Sequence, residues 1–192
     1  MERSDRELVR ECLQGDKAAF RDLVEKYQRR VVSVAMGMVH NQDDALEIAQ
    51  DTFIKAYESL DRFKGESSFY TWLYRIAVNR AIDFRRSERR HPTIAFEDLV
   101  SPNATGDSYE PQIKEERSPE PFEETQSREI GERVKQAIDE LTPDHKAVIL
   151  LREVEGLSYD EISRVMQCSK GTVMSRLHYA RQKLQKKLKD CL

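Results

Sequence analysis

Apolar residues recur every three or four positions along most of this chain, and the recurrence is interrupted at a few sharply marked places. Leu8, Val9, Cys12 and Leu13 form a short stripe that stops at Gly15. Asp16 follows, a residue whose carboxylate can accept from an orphan N–H in the first turn of a helix. Phe20, Val24, Tyr27, Val31, Val34, Ala35 and Met38 predict a second helix ending near Asn41, and Ala45, Ala49, Thr52, Phe53, Ala56, Tyr57 and Leu60 a third over residues 43–60. Lys64-Gly65 breaks the chain, Ser67 or Ser68 caps, and Phe69, Leu73, Ile76, Ala77 and Phe84 carry a fourth helix to about Arg90. The two-residue alternation of a half-buried strand appears nowhere.

Beyond residue 92 the period is lost. Five of the six prolines, at 92, 102, 111, 119 and 121, fall in or just before residues 93–128, among Ser, Thr, Asn and Gly106. Such a stretch buries too little apolar surface to offset its ordering entropy, so it reads as a flexible linker. The period returns with Ile130, Val134, Ala137, Ile138 and Leu141. Thr142-Pro143 then marks an N-cap with proline at the first helical position, and a helix over 144–154 ends before Gly156. Ser158 and Glu161 have the spacing of a capping box, in which hydroxyl and carboxylate each satisfy a backbone donor. Ile162, Val165 and Met166 point inward, the chain breaks at 167–169, and Val173, Leu177, Ala180, Leu184 and Leu188 line a last helix. The expected fold is all-α: two small helical domains, 1–92 and 129–192, joined by the flexible linker 93–128. The second is a four-helix domain containing a helix-turn-helix.

Charge adds a division of labour. The chain carries 32 basic and 35 acidic residues, yet residues 93–128 hold 3 basic against 9 acidic, leaving two near-neutral domains. From Lys170 to Lys189 there are seven Lys or Arg and no acid. That is the electrostatic footprint of a surface that meets nucleic acid. With Val173, Leu177 and Leu184 inside, the outward groups of the last helix include Lys170, Thr172, Met174, Ser175, His178 and Tyr179, able to reach bases or phosphates from a major groove. Ser169 opens that helix, whose first N–H groups can receive a phosphate. A second basic surface follows Phe69, Tyr70, Trp72 and Tyr74 with six arginines at 75, 80, 85, 86, 89 and 90. Rings interleaved with cations suit single-stranded nucleic acid, because rings stack on bases while Arg follows the phosphates. Phe69, Leu73 and Phe84 read as core, whereas Tyr70, Trp72 and Tyr74 are expected to be too many for one buried face. The opposite side of residues 43–60, with Asp43, Asp44, Glu47, Gln50, Asp51, Ile54, Lys55 and Glu58, is either a solvated acidic face or a docking face for a protein.

No catalytic residues, cofactor or metal site are expected. His40, His91, His145 and His178 are scattered, and Cys12, Cys168 and Cys191 share no CxxC spacing; no glycine-rich phosphate loop or nucleophile motif occurs. The longest apolar runs are too short to span a bilayer, so the expected location is the cytoplasm.

Two stretches carry a family resemblance. "DDALEIAQDTFIKAYESLDRFKGESSFYTWLYRIAVNRAIDFRR" resembles the second conserved region of RpoE-like extracytoplasmic-function (group IV) sigma factors, and "LTPDHKAVILLREVEGLSYDEISRVMQCSKGTVMSRLHYARQKL" resembles their fourth. The resemblance implies a dissociable subunit of bacterial RNA polymerase that selects promoters, with no small-molecule substrate. It assigns Asp44, Glu47, Gln50, Asp51, Phe53 and Ile54 to docking on the beta-prime clamp helices, and the second domain to the beta flap. It assigns Phe63, Lys64, Ser67, Phe69, Tyr70, Trp72, Tyr74, Arg75, Asn79, Arg80, Asp83 and Arg86 to the melted minus-ten element. Ser169, Lys170, Thr172, Met174, Ser175, Arg176, His178, Tyr179 and Arg181 fall to the minus-thirty-five duplex. Met174 and Tyr179 stand where many relatives carry basic residues, and Asp83 where some carry Asn. The linker would run through the polymerase cleft, where its acidity suits a path made for nucleic acid, and a cognate anti-sigma factor would cover both domains. The isolated chain is expected to bind promoter DNA poorly, with specificity arising when both readers act together on the polymerase. The rival expectations are a helix-turn-helix regulator that is no polymerase subunit, and an interaction protein that sequesters a partner.

Overall fold

The computed structural model describes residues 3–39, 41–90 and 121–189, with the side chains of all of these except 88–90 and 121–129. Eight α-helices and no strand occur among them: α1 (Asp5–Leu13), α2 (Lys17–Met38), α3 (Gln42–Glu58), α4 (Phe69–Arg90), α5 (Pro121–Asp139), α6 (Pro143–Ile149), α7 (Tyr159–Met166) and α8 (Lys170–Leu188). A 3-10 turn (Leu60–Arg62) precedes α4, and a single π turn (Leu150–Val154) prolongs α6.

The boundaries follow local chemistry. Gly15 takes a φ of 100°, and the Asp16 carboxylate accepts from the Ala18 N–H, so one residue ends α1 and the next starts α2. Asn41, expected at the end of α2, instead caps α3 by accepting from Asp44 N–H at 2.8 Å. Of the two candidate serines before α4, Ser68 is the cap, its hydroxyl accepting from Thr71 N–H at 3.1 Å. The capping box at Ser158 and Glu161 is formed in both directions, as is a second at Ser4 and Glu7 that the sequence spells equally well. Helix α5 begins at Pro121, inside the stretch read as linker; residues 93–120 of that stretch lie outside the described residues.

Helices α1 to α4 form one bundle, with α2 against α1, α3 and α4, and α5 to α8 form a second around α8. Tyr27 ties α2 to α1 by donating to Asp5 Oδ2 at 2.5 Å, with Lys26 reaching the other oxygen at 2.8 Å. Burial, and then that hydrogen bond, pushes the Tyr27 hydroxyl pKa upward. In the second bundle Lys146 is 3% exposed and donates to Asp139 at 2.5 Å. Burial lowers its pKa while the carboxylate works against the shift. No buried side-chain donor or acceptor among the described residues lacks a partner.

The two bundles are not separate bodies. Helix α4 packs on α6 and α7, and α2 on α6 and the π turn, so that one continuous apolar core runs from Leu8 to Ala180. The two helical domains expected from the sequence are present, and they also pack on one another. Each bundle keeps apolar surface after satisfying its own helices, and the two halves bury it against one another.

Candidate nucleic-acid interface and docking face

Three surfaces carry the residues singled out by sequence. On α4 the expected stacking platform is mostly interior. Phe69 is core as expected, at 2% exposed, and Trp72 and Tyr74 join it at 7% and 0%. Phe63 lies edge-on to Phe69 at 5.8 Å between centroids and 5.3 Å from Trp72, so Phe63, Phe69 and Trp72 form an aromatic cluster that closes the end of the first bundle. The buried face of α4 is wide because it is covered from two sides, by α2 and α3 and by the second domain, yet it leaves out Tyr70.

Tyr70 is the ring left half-exposed, with the Arg30 guanidinium 5.3 Å from its centroid. Its neighbour Tyr74, at 4.3 Å, donates to Glu155 Oε2 at 2.5 Å, and Tyr70 reaches the same oxygen at 3.4 Å. Burial raises both phenol pKa values, and for Tyr74 the bond to Glu155 adds to the rise. The polar candidates meet solvent: Lys64, Asn79, Arg80, Asp83 and Arg86 are exposed, and Ser67 and Arg75 half-buried. Arg80 and Arg86 carry only loose pairs, to Asp51 at 3.8 Å and Asp83 at 4.0 Å, of the kind that contributes little in water.

On α3 the acidic stripe is the rim of an apolar groove. Phe53, Ile54, Tyr57 and Leu46 face Phe20, Val24 and Val32 of α2 across about 700 Å³, with Gln50 and Glu58 at the edge. Ile54 is 50% exposed, and Phe20 and Tyr57 meet edge-to-face at 4.9 Å. Glu47 and Gln50 are exposed and Asp51 half-buried. Asp44 is half-buried and accepts from Asn41 Nδ2 at 2.7 Å, so it also serves the helix start, where a negative charge meets the positive end of the helix.

On α8 the chain turns from α7 through Gln167, whose φ is 50°, and Ser163 holds the turn by donating to the Cys168 carbonyl at 2.7 Å. Ser169 caps α8 by accepting from Thr172 N–H at 3.1 Å, which occupies both hydroxyl residues locally. Met174 and Tyr179 are 54% and 60% exposed, and His178 and Ser175 stand beside them. Lys170 pairs with Asp160 at 2.9 Å and Arg181 with Glu153 at 2.6 Å, both at the surface. Arg176 departs from expectation. Half-buried, it reaches Asp144 at 3.3 Å and Cys168 Sγ at 3.9 Å, bracing α8 on α6 instead of facing outward. Lys183 and Lys187 similarly hold the C-terminal end of α5, through the Glu140 carbonyl at 2.6 Å and its carboxylate at 2.9 Å.

Comparison with known proteins fixes what these surfaces belong to. The sequence model for Sigma-70 region 2 matches residues 23–91, and that for Sigma-70 region 4 matches residues 131–184. The RNA polymerase sigma-H factor of Pseudomonas aeruginosa is 40% identical over 98% of this chain and 95% of its own length. The ECF RNA polymerase sigma-E factor of Haemophilus influenzae is also 40% identical, over 98% and 97%. The chain belongs to the extracytoplasmic-function sigma factors. It is a sigma factor that directs transcription, and its three surfaces lie on the two regions that define the family. Among solved structures, CnrH in complex with the cytosolic domain of CnrY has the same fold, with a TM-score of 0.69 at 24% identity over 98% of this chain and 99% of that one. The sigma factor RpoE of Bartonella quintana, solved with the anti-sigma factor NepR, gives 0.63 at 24% identity over 88% and 96%.

Glu155, Gly37 and Leu150, which join the two regions, escaped the sequence reading. Gly37 alone left a signal, a glycine inside an apolar helical run, which marks close approach of another segment. No group of His, Cys, Asp or Glu among the described residues could hold a metal, and no described helix is long and apolar enough to cross a membrane. Cys12 and Cys168 are half-buried free thiols, the pKa of Cys12 being raised chiefly by burial; Cys191 lies outside the described residues.

Proposed function

We propose that this sigma factor joins bacterial RNA polymerase core by seating an apolar ridge of the beta-prime clamp helices in the α2–α3 groove. Ile54 and Phe53 provide the contact, and Glu47, Gln50 and Asp51 the polar rim. The groove's exposed apolar floor supports this, since exposed aliphatic and aromatic groups framed by polar ones are the usual build of a docking site. The beta flap holds the second domain in the assembled enzyme.

Promoter recognition is then shared. Met174, Ser175, His178 and Tyr179 enter the minus-thirty-five major groove while the capped start of α8 and Lys170 hold phosphates. At the minus-ten element Arg80, Arg86 and Asn79 follow the unpaired strand, and a base flips against Phe63, Lys64 and Ser67 beside Tyr70. Stacking on a half-exposed ring offsets lost base stacking by about 1–3 kcal/mol. Phe69 and Trp72 support that pocket from beneath. Arg176 acts by bracing the recognition helix, and Arg181 reaches DNA once it leaves Glu153.

The protein works in the cytoplasm, performs no reaction of its own, and is restrained by a cognate anti-sigma factor, as its fold relatives are found with CnrY and NepR. The observation that carries the reading is the correspondence with extracytoplasmic-function sigma factors across 98% of the chain, with regions 2 and 4 both present and in order. Run-off transcription with purified core polymerase and a promoter library tests it. Specific transcripts are expected with this chain and none without it; specific duplex binding with no transcript would favour a regulator outside the polymerase.

A further inference from the structure

The recognition helix is rich in cations, yet those near its reading end are engaged by the protein itself. Its two arginines are Arg176 and Arg181. Arg176 is half-buried against Asp144 at 3.3 Å, and Arg181 sets Nη2 and Nε on one oxygen of Glu153, at 2.6 and 3.2 Å. Lys170 pairs with Asp160 at 2.9 Å. With about 100° between successive residues, the side turned away from the buried Val173, Leu177 and Ala180 is centred on Ser175 and His178. Met174 and Tyr179 flank that line, about 140° apart, and each is more than half exposed. Ser175 donates its hydroxyl hydrogen to the Thr172 carbonyl at 3.0 Å, so it meets a ligand as an acceptor. The His178 and Tyr179 rings meet edge-on at 5.6 Å, which restrains both. Met174 stands at the lip of a recess of about 350 Å³, lined also by Tyr159, His178 and Arg181. The groups left facing outward are thus a thioether, a phenol, an imidazole and a hydroxyl, with no guanidinium among them.

We propose that this chain reads its upstream element by apolar contact, setting Met174 and Tyr179 against the C5 methyl groups of two thymines and rejecting guanine at those positions. This preference rests on the promoter reading given above, and narrows it from a surface to a base. Guanine shows the major groove two acceptors, O6 and N7, which a forked arginine satisfies best. Met174 has no donor to offer them and Tyr179 has one, so closing either side chain over guanine strands an acceptor away from water, at a cost. Thymine shows a methyl group beside a single carbonyl, and a flexible, polarizable thioether packs well on such a methyl. A phenol covers the methyl with its ring while its hydroxyl reaches a phosphate or water. Because the two residues lie on either side of the Ser175 and His178 line, they face opposite strands. The five-residue step between them rises about 7.5 Å along the helix, or about two base pairs at about 3.4 Å each. The target is therefore a pair of thymines on opposite strands, about two base pairs apart. Arg181 lies about 10 Å beyond Met174 along the helix and leaves Glu153 for the phosphate backbone, where it positions the protein without specifying a base.

The test uses holoenzyme assembled from core polymerase and the full chain, with a pool of promoters randomised across the upstream element. Templates retained in heparin-resistant open complexes are sequenced. Wild type should enrich two thymines, one on each strand, about tenfold over guanine, the usual cost of a mismatched pair. Deoxyuridine in place of either thymine removes only the methyl group and should lower retention about fourfold, the value of one buried methyl. In Met174→Ala holoenzyme the first of these replacements should lose its effect while the second keeps it. Met174 is exposed, so Met174→Arg should fold as wild type does, and it should turn the preference at the first position to guanine by about tenfold. Tyr179→Arg should do the same at the second position. A wild type that enriches guanine at those positions, or retention indifferent to deoxyuridine, would overturn the proposal and leave the promoter reading standing. A holoenzyme that opens templates with no base preference anywhere in the upstream element would remove the promoter reading of α8, and the proposal with it.

Discussion

The two surfaces proposed to meet nucleic acid in this sigma factor are built on opposite plans. On α8 the proposed readers Met174, His178 and Tyr179 are already outside, held by a helix that is capped, braced by Arg176 and anchored through Val173 and Leu177. On α4 the rings are largely inside, and the exposed groups are Arg, Asn and Lys. A duplex offers its base edges without being opened, so its reader can be rigid and preformed. An unpaired strand has to be received in a pocket, and the pocket's walls need support from a packed interior. The comparison makes Phe69 and Trp72 structural members of a site whose contacts are made by their neighbours.

The comparison can be broken most forcefully at Trp72. If the ring is a support, Trp72→Ala should cost about 3–5 kcal/mol and lower the melting temperature of the whole chain, as loss of a buried aromatic does. A variant of wild-type stability that failed only in promoter opening would return Trp72 to the stacking role. Next in size is Asp139→Ala, which leaves the Lys146 ammonium buried beside no carboxylate. A loss of about 3–5 kcal/mol in chemical denaturation is expected, whereas replacing both partners together, Lys146→Met with Asp139→Leu, should be near neutral. Ser158→Ala removes one arm of the α7 capping box and should cost about 1 kcal/mol, with a proportional loss of minus-thirty-five binding by holoenzyme. Smallest in stability are the exposed contacts. Met174→Ala should stay within about 0.5 kcal/mol of wild type, and Tyr70→Ala, whose half-buried ring touches Tyr27 and Tyr74, should cost about 1 kcal/mol. Yet Met174→Ala should shift base preference at the upstream element, and Tyr70→Ala should slow opening on a linear template, as measured by permanganate reactivity of unpaired thymines. Equal effects of both variants on the same step would erase the distinction between the readers.

Helix placement was legible because the chain states its own punctuation. Gly15-Asp16, Thr142-Pro143 and Ser158 with Glu161 each satisfy a backbone requirement that is local to a few residues, and each reappears in the structure. The docking face was half legible: its charges were visible at Asp44, Glu47 and Asp51, but the groove depends on Phe20 and Val24 from a different helix. The burial of Tyr74 was hidden for a similar reason. Helical periodicity reports one inward stripe, and α4 has two, one toward its own bundle and one toward the second region. The pairing of Arg176 was not legible because its charge agreed with its neighbours, while its partner Asp144 lies 32 residues away along the chain.

The close approach of Leu150 to Gly37 also constrains random change. Every possible replacement there adds atoms where the Leu150 methyl groups lie 2.7 and 2.9 Å from an ideal Cβ, so mutation at this codon obliges Leu150 to move. Substitutions at Gly37 should therefore register first as a displacement of Leu150, readable in its methyl NMR signals, whichever residue is introduced.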